Sequence, residues 1–367
     1  MLLKKLSLLN FKNISEAKMV FSPKINCFFG NNGMGKTNLL DSIYYLSFCK
    51  SHIHTQESQI IRSSEDLCVI QGEYLFDDER NEEIFCAIRK GQRKQFKHNK
   101  KEYEKLSEHI GLLPLVMISP ADSDLIRGGS DERRRFMDMI ISQQNKPYLH
   151  ALIQYNKALT QRNVMLKNQQ SDAQLYEVLE AQLDHYGRLI YEKRQELATK
   201  FTPVFNRYYQ LISQSGEQVQ LNYVSQLAKS NLAALLATNR ERDMILGYTS
   251  SGIQKDELEM TLSGSLIRRV GSQGQNKTYL IALKLAQYVL LSQEGQVKPI
   301  LLLDDIFDKL DAERVEQIIR LVCDNTFGQI FITDTNRKYL DRILASINNE
   351  YALFKVEAGH VLPLEEA

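Results

Sequence analysis

Residues 30–37 read Gly30-Asn31-Asn32-Gly33-Met34-Gly35-Lys36-Thr37, the spacing G-x-x-x-x-G-K-T. Glycines at these positions let backbone N–H groups close around phosphates with no Cβ in the way. Lys36 is placed to reach β- and γ-phosphates, the Thr37 hydroxyl to ligate Mg²⁺, and Asn38 to open a helix whose positive end faces the anion. A second acidic locus complements it. Four apolar residues, Ile300-Leu301-Leu302-Leu303, run into Asp304-Asp305. A buried strand ending in a carboxylate is how phosphate-loop folds hold Mg²⁺, here through Asp304 and a bridging water. Asp305 then orients or deprotonates an attacking water.

The elements that must position these groups are legible around them. Ile25-Asn26-Cys27-Phe28-Phe29 is a short apolar strand ahead of the loop, and Leu39, Leu40, Ile43 and Leu46 give the helix behind it an apolar face. Leu3, Leu6, Leu8 and Phe11 start an edge strand. Residues 66–105 alternate apolar and polar with breaks at Asp77-Asp78, Gly91 and Asn99, which predicts an antiparallel meander. From about 130 to 212 the period becomes helical, through Leu149, Leu152, Leu159 and Leu166. A polar break at 168–170 precedes a capping box at Ser171-Asp172-Ala173-Gln174, and Pro203 is expected to end or kink the second long helix. Gln329-Ile330-Phe331-Ile332-Thr333 is a further strand of the buried kind.

Lys36 and Asp304 lie 268 residues apart, so something large is inserted between the two halves of the site. Upstream of the acids, Ser272-Gln273-Gly274-Gln275 precedes an amphipathic helix through Leu280, Leu283, Leu285 and Val289. A serine and backbone amides at a helix start make an anion site. This arrangement resembles ABC-type ATPases, in which the signature loop of one subunit caps the γ-phosphate held by its partner. Asp308-Lys309-Leu310-Asp311 resembles the D-loop of that family.

The likeness then narrows to the RecF family and covers nearly the whole chain. Asn10-Phe11-Lys12-Asn13 resembles its opening strand, with Lys12 in place of a usual arginine. Residues 128–138, through Arg133-Arg134-Arg135-Phe136-Met137-Asp138, resemble G-G-P-x-x-R-R-x-F-L-D with Ser130 for proline. Tyr155, Ala158-Leu159, Gln161-Arg162-Asn163 and Leu166 resemble Y-x-x-A-L-x-Q-R-N-x-x-L. Residues 272–278 resemble S-Q-G-Q-Q-R-T. Two segments depart: residues 252–258 stand for G-P-H-R-D-D-L, and Ile53 in Lys50-Ser51-His52-Ile53 replaces an arginine that related heads use near the phosphates.

The resemblance implies an α/β fold: an ABC-type head with a mixed-sheet core and an antiparallel β lobe, carrying an inserted α-helical second domain. The expected boundaries are 1–125 and 245–367 for the two halves of the head and 126–244 for the insertion. It implies ATP and Mg²⁺ as ligands and an ATP-driven homodimer in which Ser272, Gly274 and Gln275, with Asp311 of the D-loop, complete the partner's site. It also implies slow, DNA-stimulated hydrolysis, duplex DNA at single-strand gaps as target, and work with RecR and RecO to load RecA.

The resemblance also implies a cytoplasmic location, nucleoid-associated when bound to DNA, and composition excludes the membrane and secreted classes. No apolar run approaches the roughly 20 residues that span a bilayer. Residues 1–5 lead into no signal-like apolar region, and the five cysteines form no Cys-x-x-Cys pair. With a formal charge of +1, any nucleic-acid surface must be a local patch. The acid-free stretch from Arg89 to Lys101 is one such patch, with Lys94, Lys97 and Lys100 as expected duplex-backbone contacts; a solvated hairpin is the competing reading. Arg133–Arg135 read as bracing a joint more than as touching DNA. A DNA-independent phosphate-loop kinase, a transporter ATP-binding subunit and a non-hydrolysing scaffold remain as alternatives. The signature loop argues against the first. The inserted helices and the absence of histidine between Asp305 and His360 argue against the second, and the second acid argues against the third.

Overall fold

Strands that are apolar on both faces form the heart of the first unit, because such strands gain most when both faces are covered. Ile300–Asp304, Ile330–Asp334 and Ile25–Phe29 lie side by side in parallel, with Leu115–Ile118 parallel beyond the first and Tyr351–Glu357 parallel beyond the last. His360–Leu364 closes the latter edge antiparallel. Parallel pairing brings the carboxyl ends of neighbouring strands to one edge, which is where open α/β sheets bind ligands.

The computed structural model describes residues 1–54, 56–295, 297–307, 310–324, 326–335, 341 and 351–364. They form two compact units: Met1–Asp122 with Leu211–Ser213 and Lys277–Ala367, and Ser123–Gln210 with Gln214–Asn276. In the first, an antiparallel six-stranded sheet runs in the order Ile14–Val20, Leu2–Phe11, Leu67–Leu75, Asn81–Arg89, Gln95–His98, Lys101–Glu102. The meander expected over 66–105 is there. Ile14–Val20 is an added strand, and the chain reverses into it through Asn10 and Lys12, both with left-handed φ (51° and 52°). Helix Lys36–Phe48 packs against strands of both sheets, with Leu39, Leu40, Ile43 and Leu46 buried. Its close approach needs Gly72, where a Cβ would lie 2.7 Å from the Leu46 methyl.

The second unit holds helices Ser130–Gln144, Lys146–Lys167 and most of Ala173–Ser213, but also a three-stranded antiparallel sheet of Val219–Val224, Glu257–Leu262 and Ser265–Leu266. That sheet moves the boundary. Residues 245–276 were expected in the head, yet Glu257–Leu262 pairs along its whole length with Val219–Val224 (Met260 opposite Leu221), so the unit extends to Asn276. The polar break at 168–170 separates two helices as expected. Asp172, not Ser171, caps the second, its carboxylate accepting from the Leu175 N–H at 3.1 Å. Pro203 lies inside a helix that continues ten residues beyond it, to Ser213. Two buried arginines organise this unit. Arg194 bonds Asp138 and Asp256, while Arg162 bonds Glu180, Asp243 and the Thr249 hydroxyl. The family segments around Asp138, Arg162 and Asp256 therefore meet in ion-pair networks that hold the fold, since a buried guanidinium persists only when paired.

Candidate nucleotide site

The phosphate loop connects strand Ile25–Phe29 to helix Lys36–Phe48. Gly30, Gly33 and Gly35 have φ of 155°, 78° and 112°. At two of them space is also decisive: a Cβ on Gly30 would sit 2.2 Å from the Val356 carbonyl oxygen, and one on Gly35 2.7 Å from the Asn13 carboxamide. The Lys36 ammonium donates back to the carbonyls of Gly30 (2.7 Å) and Asn31 (3.0 Å), which fastens the loop. Burial draws the Lys36 pKa down, opposed by the charges of Asp305, Asp304 and Asp334.

Segments far apart in sequence bracket the loop from outside. The Met34 carbonyl accepts from Asn13 Nδ2 and from the Gly359 N–H, both at 3.1 Å, and the Met34 sulfur accepts from the Ala358 N–H at 3.3 Å. Asn13 Oδ1 in turn accepts from Asn38 Nδ2 at 2.7 Å. In the sequence Asn13 stands out only as the last residue of the Asn10-Phe11-Lys12-Asn13 motif. Its contact with the loop had no local signal, because it depends on two strands and a hairpin turn meeting.

The acids stand at the adjoining strand ends, with Thr333 opposite Asp304 in register. Asp304 is buried, and its Oδ1 accepts from the hydroxyls of Thr37 (3.0 Å) and Thr333 (2.7 Å). Burial raises the Asp304 pKa, and the two hydroxyls oppose the shift. Asp305 has left-handed φ (50°), and its N–H points to the Thr333 carbonyl and hydroxyl oxygens. Strained backbone of this kind gathers at working sites. A cavity of about 190 Å³ is lined by Asn32, Gly33, Gly35, Lys36, Thr37, Asn38, Asp304 and Asp305. Every one of those residues was expected in the site. A hydroxyl and a carboxylate oxygen 3.0 Å apart are the hard oxygen donors Mg²⁺ prefers, and the open cavity leaves room for the waters it keeps. Thr333 is the addition; its only signal was a polar residue closing an apolar strand.

The signature segment belongs to the second unit. Ser272 and Gln275 form a reciprocal capping box at the start of helix Gln273–Glu294: Ser272 Oγ accepts from the Gln275 N–H (3.2 Å), and Gln275 Oε1 accepts from the Ser272 N–H (2.8 Å). Glu217 holds the Gln275 amide from the other side at 2.5 Å. The cap uses a lone pair of the exposed Ser272 hydroxyl and leaves its proton for an outside acceptor. Asp311 caps helix Ala312–Cys323, accepting from the Arg314 N–H at 2.9 Å. Asp308 and Lys309 of the expected D-loop lie outside the described residues.

The RecF/RecN/SMC N-terminal domain family matches residues 2–361. The chain is 72% identical over its full length, and that of its relative, to a DNA replication and repair protein RecF from Parabacteroides distasonis. It is 55% identical over 100% of its own length and 99% of the relative's to the RecF of Bacteroides fragilis. The chain belongs to the RecF family. A solved structure described as the recombination mediator protein RecF-ATP in the RecFOR pathway shares 28% identity, covering 99% of this chain and 98% of that one at a TM-score of 0.88. A Pyrococcus furiosus Smc head, 17% identical with a TM-score of 0.60, covers 99% of this chain and 96% of its own and shares the fold.

In this RecF-family chain the basic hairpin is only partly free. Lys94 turns inward, its ammonium bonded to the Cys49 carbonyl (2.7 Å), the Tyr45 hydroxyl (3.3 Å) and Glu57. It pins the loop after the phosphate-loop helix and is not a surface cation, a correction to its grouping with Lys97 and Lys100. Lys97 lies half-buried over the Phe85 ring, and Lys100 is exposed in a two-residue turn with Asn99, both at positive φ. Phe96 is buried beneath, against Tyr103 and His109, so the hairpin offers no stacking platform from that ring. Arg133 is buried and bidentate to Glu257, Arg134 donates to the Asp256 carbonyl, and Arg135 pairs with Asp131 and Glu132. His52 sits 3.1 Å from the Ser119 hydroxyl and 3.8 Å from Asp122, which is itself paired with Lys284 at 2.6 Å; burial lowers the His52 pKa. Ile53 is 41% exposed.

Proposed function

We propose that this chain is an ATP-dependent DNA-binding protein of recombinational repair. It recognises duplex DNA at single-strand gaps and acts with RecR and RecO to promote RecA loading. The observation that carries the reading is full-length identity of 72% to a RecF together with the phosphate loop, Thr37 and Asp304 converging on one cavity. In the proposed cycle Lys36 gives up its carbonyl partners for phosphate oxygens while the loop amides enclose them. Thr37 and Asp304 would hold Mg²⁺, which when bound neutralises charge on the β- and γ-oxygens. Asp305 orients the attacking water. Ser272, with its spare hydroxyl proton, and Gly274 and Gln275 beside it, meet the nucleotide of a second copy, and Asp311 faces that joint. Binding closes the homodimer as a clamp and slow hydrolysis opens it.

Steady-state hydrolysis against protein concentration, with and without gapped duplex, tests this. A slow rate that rises with DNA and more than linearly with protein is expected. A fast rate, linear in protein and indifferent to DNA, would return the chain to a DNA-independent enzyme working within one subunit.

A further inference from the structure

The second unit pairs half of its arginines with carboxylates. Arg133, Arg135, Arg162, Arg188, Arg194 and Arg240 each have a carboxylate partner. Five exposed arginines of this unit have no ion pair or hydrogen bond among the described residues: Arg127, Arg207, Arg242, Arg268 and Arg269. Arg207 and Arg242 sit on separate helices, whereas Arg127, Arg268 and Arg269 come together. They lie on two short helices that pack together, Asp124–Arg127 and Ile267–Val270. Leu125, Ile126 and Ile267 are buried, which turns the basic side chains to solvent. Glu257 and Glu259 line the same small cleft as Arg268, but Glu257 is taken by Arg133 and Glu259 is not within ion-pair distance of Arg268. Capping of the helix ends does not explain the arginines either, since Gly128 and Gly271 already bond the Asp124 and Ile267 carbonyls.

We infer that Arg127, Arg268 and Arg269 form a contact for the phosphate backbone of duplex DNA. The inference deepens the proposed function and rests on its duplex-binding part. Guanidinium groups match phosphate oxygens bidentately, and an unpaired cluster gains most from an anionic ligand because no internal ion pair is lost. Val270 is the only apolar residue between Arg269 and the signature loop, and residues 267–272 include no aromatic side chain to stack a base, so the target is backbone and not single-strand bases. Arg269 is three residues before Ser272, joined by Val270-Gly271. A phosphate held there ties DNA occupancy to the loop that closes on a second copy's nucleotide.

The test is fluorescence anisotropy of full-length protein on a labelled blunt duplex over a range of salt, for wild type and the triple variant Arg127→Ala/Arg268→Ala/Arg269→Ala, with a fluorescent ATP analogue titrated in parallel. All three residues are exposed, so the variant is expected to melt with wild type. The salt slope should fall by about 2–3, from roughly 0.9 per phosphate contact, and affinity by about tenfold or more. The corresponding triple lysine variant should restore the slope, and analogue affinity should stay within about twofold. A slope equal to that of a duplex-binding wild type overturns this contact alone. Lost nucleotide-driven dimerisation at unchanged slope assigns the arginines to the partner's nucleotide and also overturns it. A wild type that binds no duplex removes the proposed function as well.

Discussion

Replacing Asn13 by alanine tests whether the phosphate loop is shaped from outside. The carboxamide makes two bonds there, Nδ2 to the Met34 carbonyl and Oδ1 from Asn38 Nδ2, and both sites are exposed. Water can substitute at each, so the loss sits at the low end of the usual range, about 0.5–1 kcal/mol per bond and about 1–2 kcal/mol together. That energy biases the loop toward its phosphate-ready shape. Its removal should therefore weaken nucleotide binding by about 5- to 30-fold. The reacting groups are untouched, so kcat at saturating ATP should stay within about twofold. Equilibrium titration with a fluorescent ATP analogue, followed by kcat and KM, separates the two. A variant with unchanged affinity, or one that loses kcat at unchanged KM, would refute the bracket as a positioning device. Asn13→Asp keeps the acceptor for Asn38 but loses the donor to Met34, and should fall between.

Asp305 occupies left-handed backbone, which asparagine tolerates. Asp305→Asn should thus fold as wild type and accumulate as a nucleotide-bound dimer by light scattering, whereas Asp305→Ala should add about 1 kcal/mol of strain, read as lower thermal stability. Lys12 and Asp41 form a buried ion pair at 2.7 Å, with Asp41 also taking the Ser51 hydroxyl and the His52 N–H. Lys12→Ala strands that carboxylate and should cost about 3–5 kcal/mol in urea unfolding; a loss below about 1 kcal/mol would contradict it. The raised Asp304 pKa means the ionised carboxylate costs stability at pH values above the ordinary carboxylate range. Asp304→Asn should raise the melting temperature of nucleotide-free protein at neutral pH while abolishing hydrolysis. For His52 the folded pKa lies below the unfolded value, so stability is lost as pH falls through about 6.5. His52→Gln should flatten that limb, and an unchanged profile would place the titration elsewhere.

Most of the candidate site was legible because its signal is local. The glycines, Lys36 and Thr37 follow one another, and Asp304-Asp305 follow four apolar residues, so strand, loop and acid could be read in place. What escaped depends on pairing between distant segments. Thr333 becomes a second donor to Asp304 only because two strands run in register, and Asn13 reaches the loop only across a turn. Lys94 read as one lysine of a basic run, since nothing nearby reveals that the Cys49 carbonyl and Glu57 face it. The boundary of the second unit lies later than the helical period suggests, for a related reason. The helical period ends near 212, but Glu257–Leu262 finds its strand partner at 219–224 and so stays with the helices.

The hairpin turn at Ala358-Gly359, which donates two N–H groups to Met34, also bears on synthesis at the ribosome. Strand Ile25–Phe29, made early, lies between strands that begin at Ile330 and Tyr351, so its neighbours emerge only after the entire inserted unit. Pairings of such sequence separation close late and slowly. The helices and small sheet of the second unit draw on residues 123–276 and can fold while the nascent chain still lacks those strands. The phosphate loop therefore acquires its final hydrogen bonds among the last events of folding. Until residue 359 has left the tunnel, the first unit exposes an unpaired apolar strand, the state in which chaperone capture competes with aggregation.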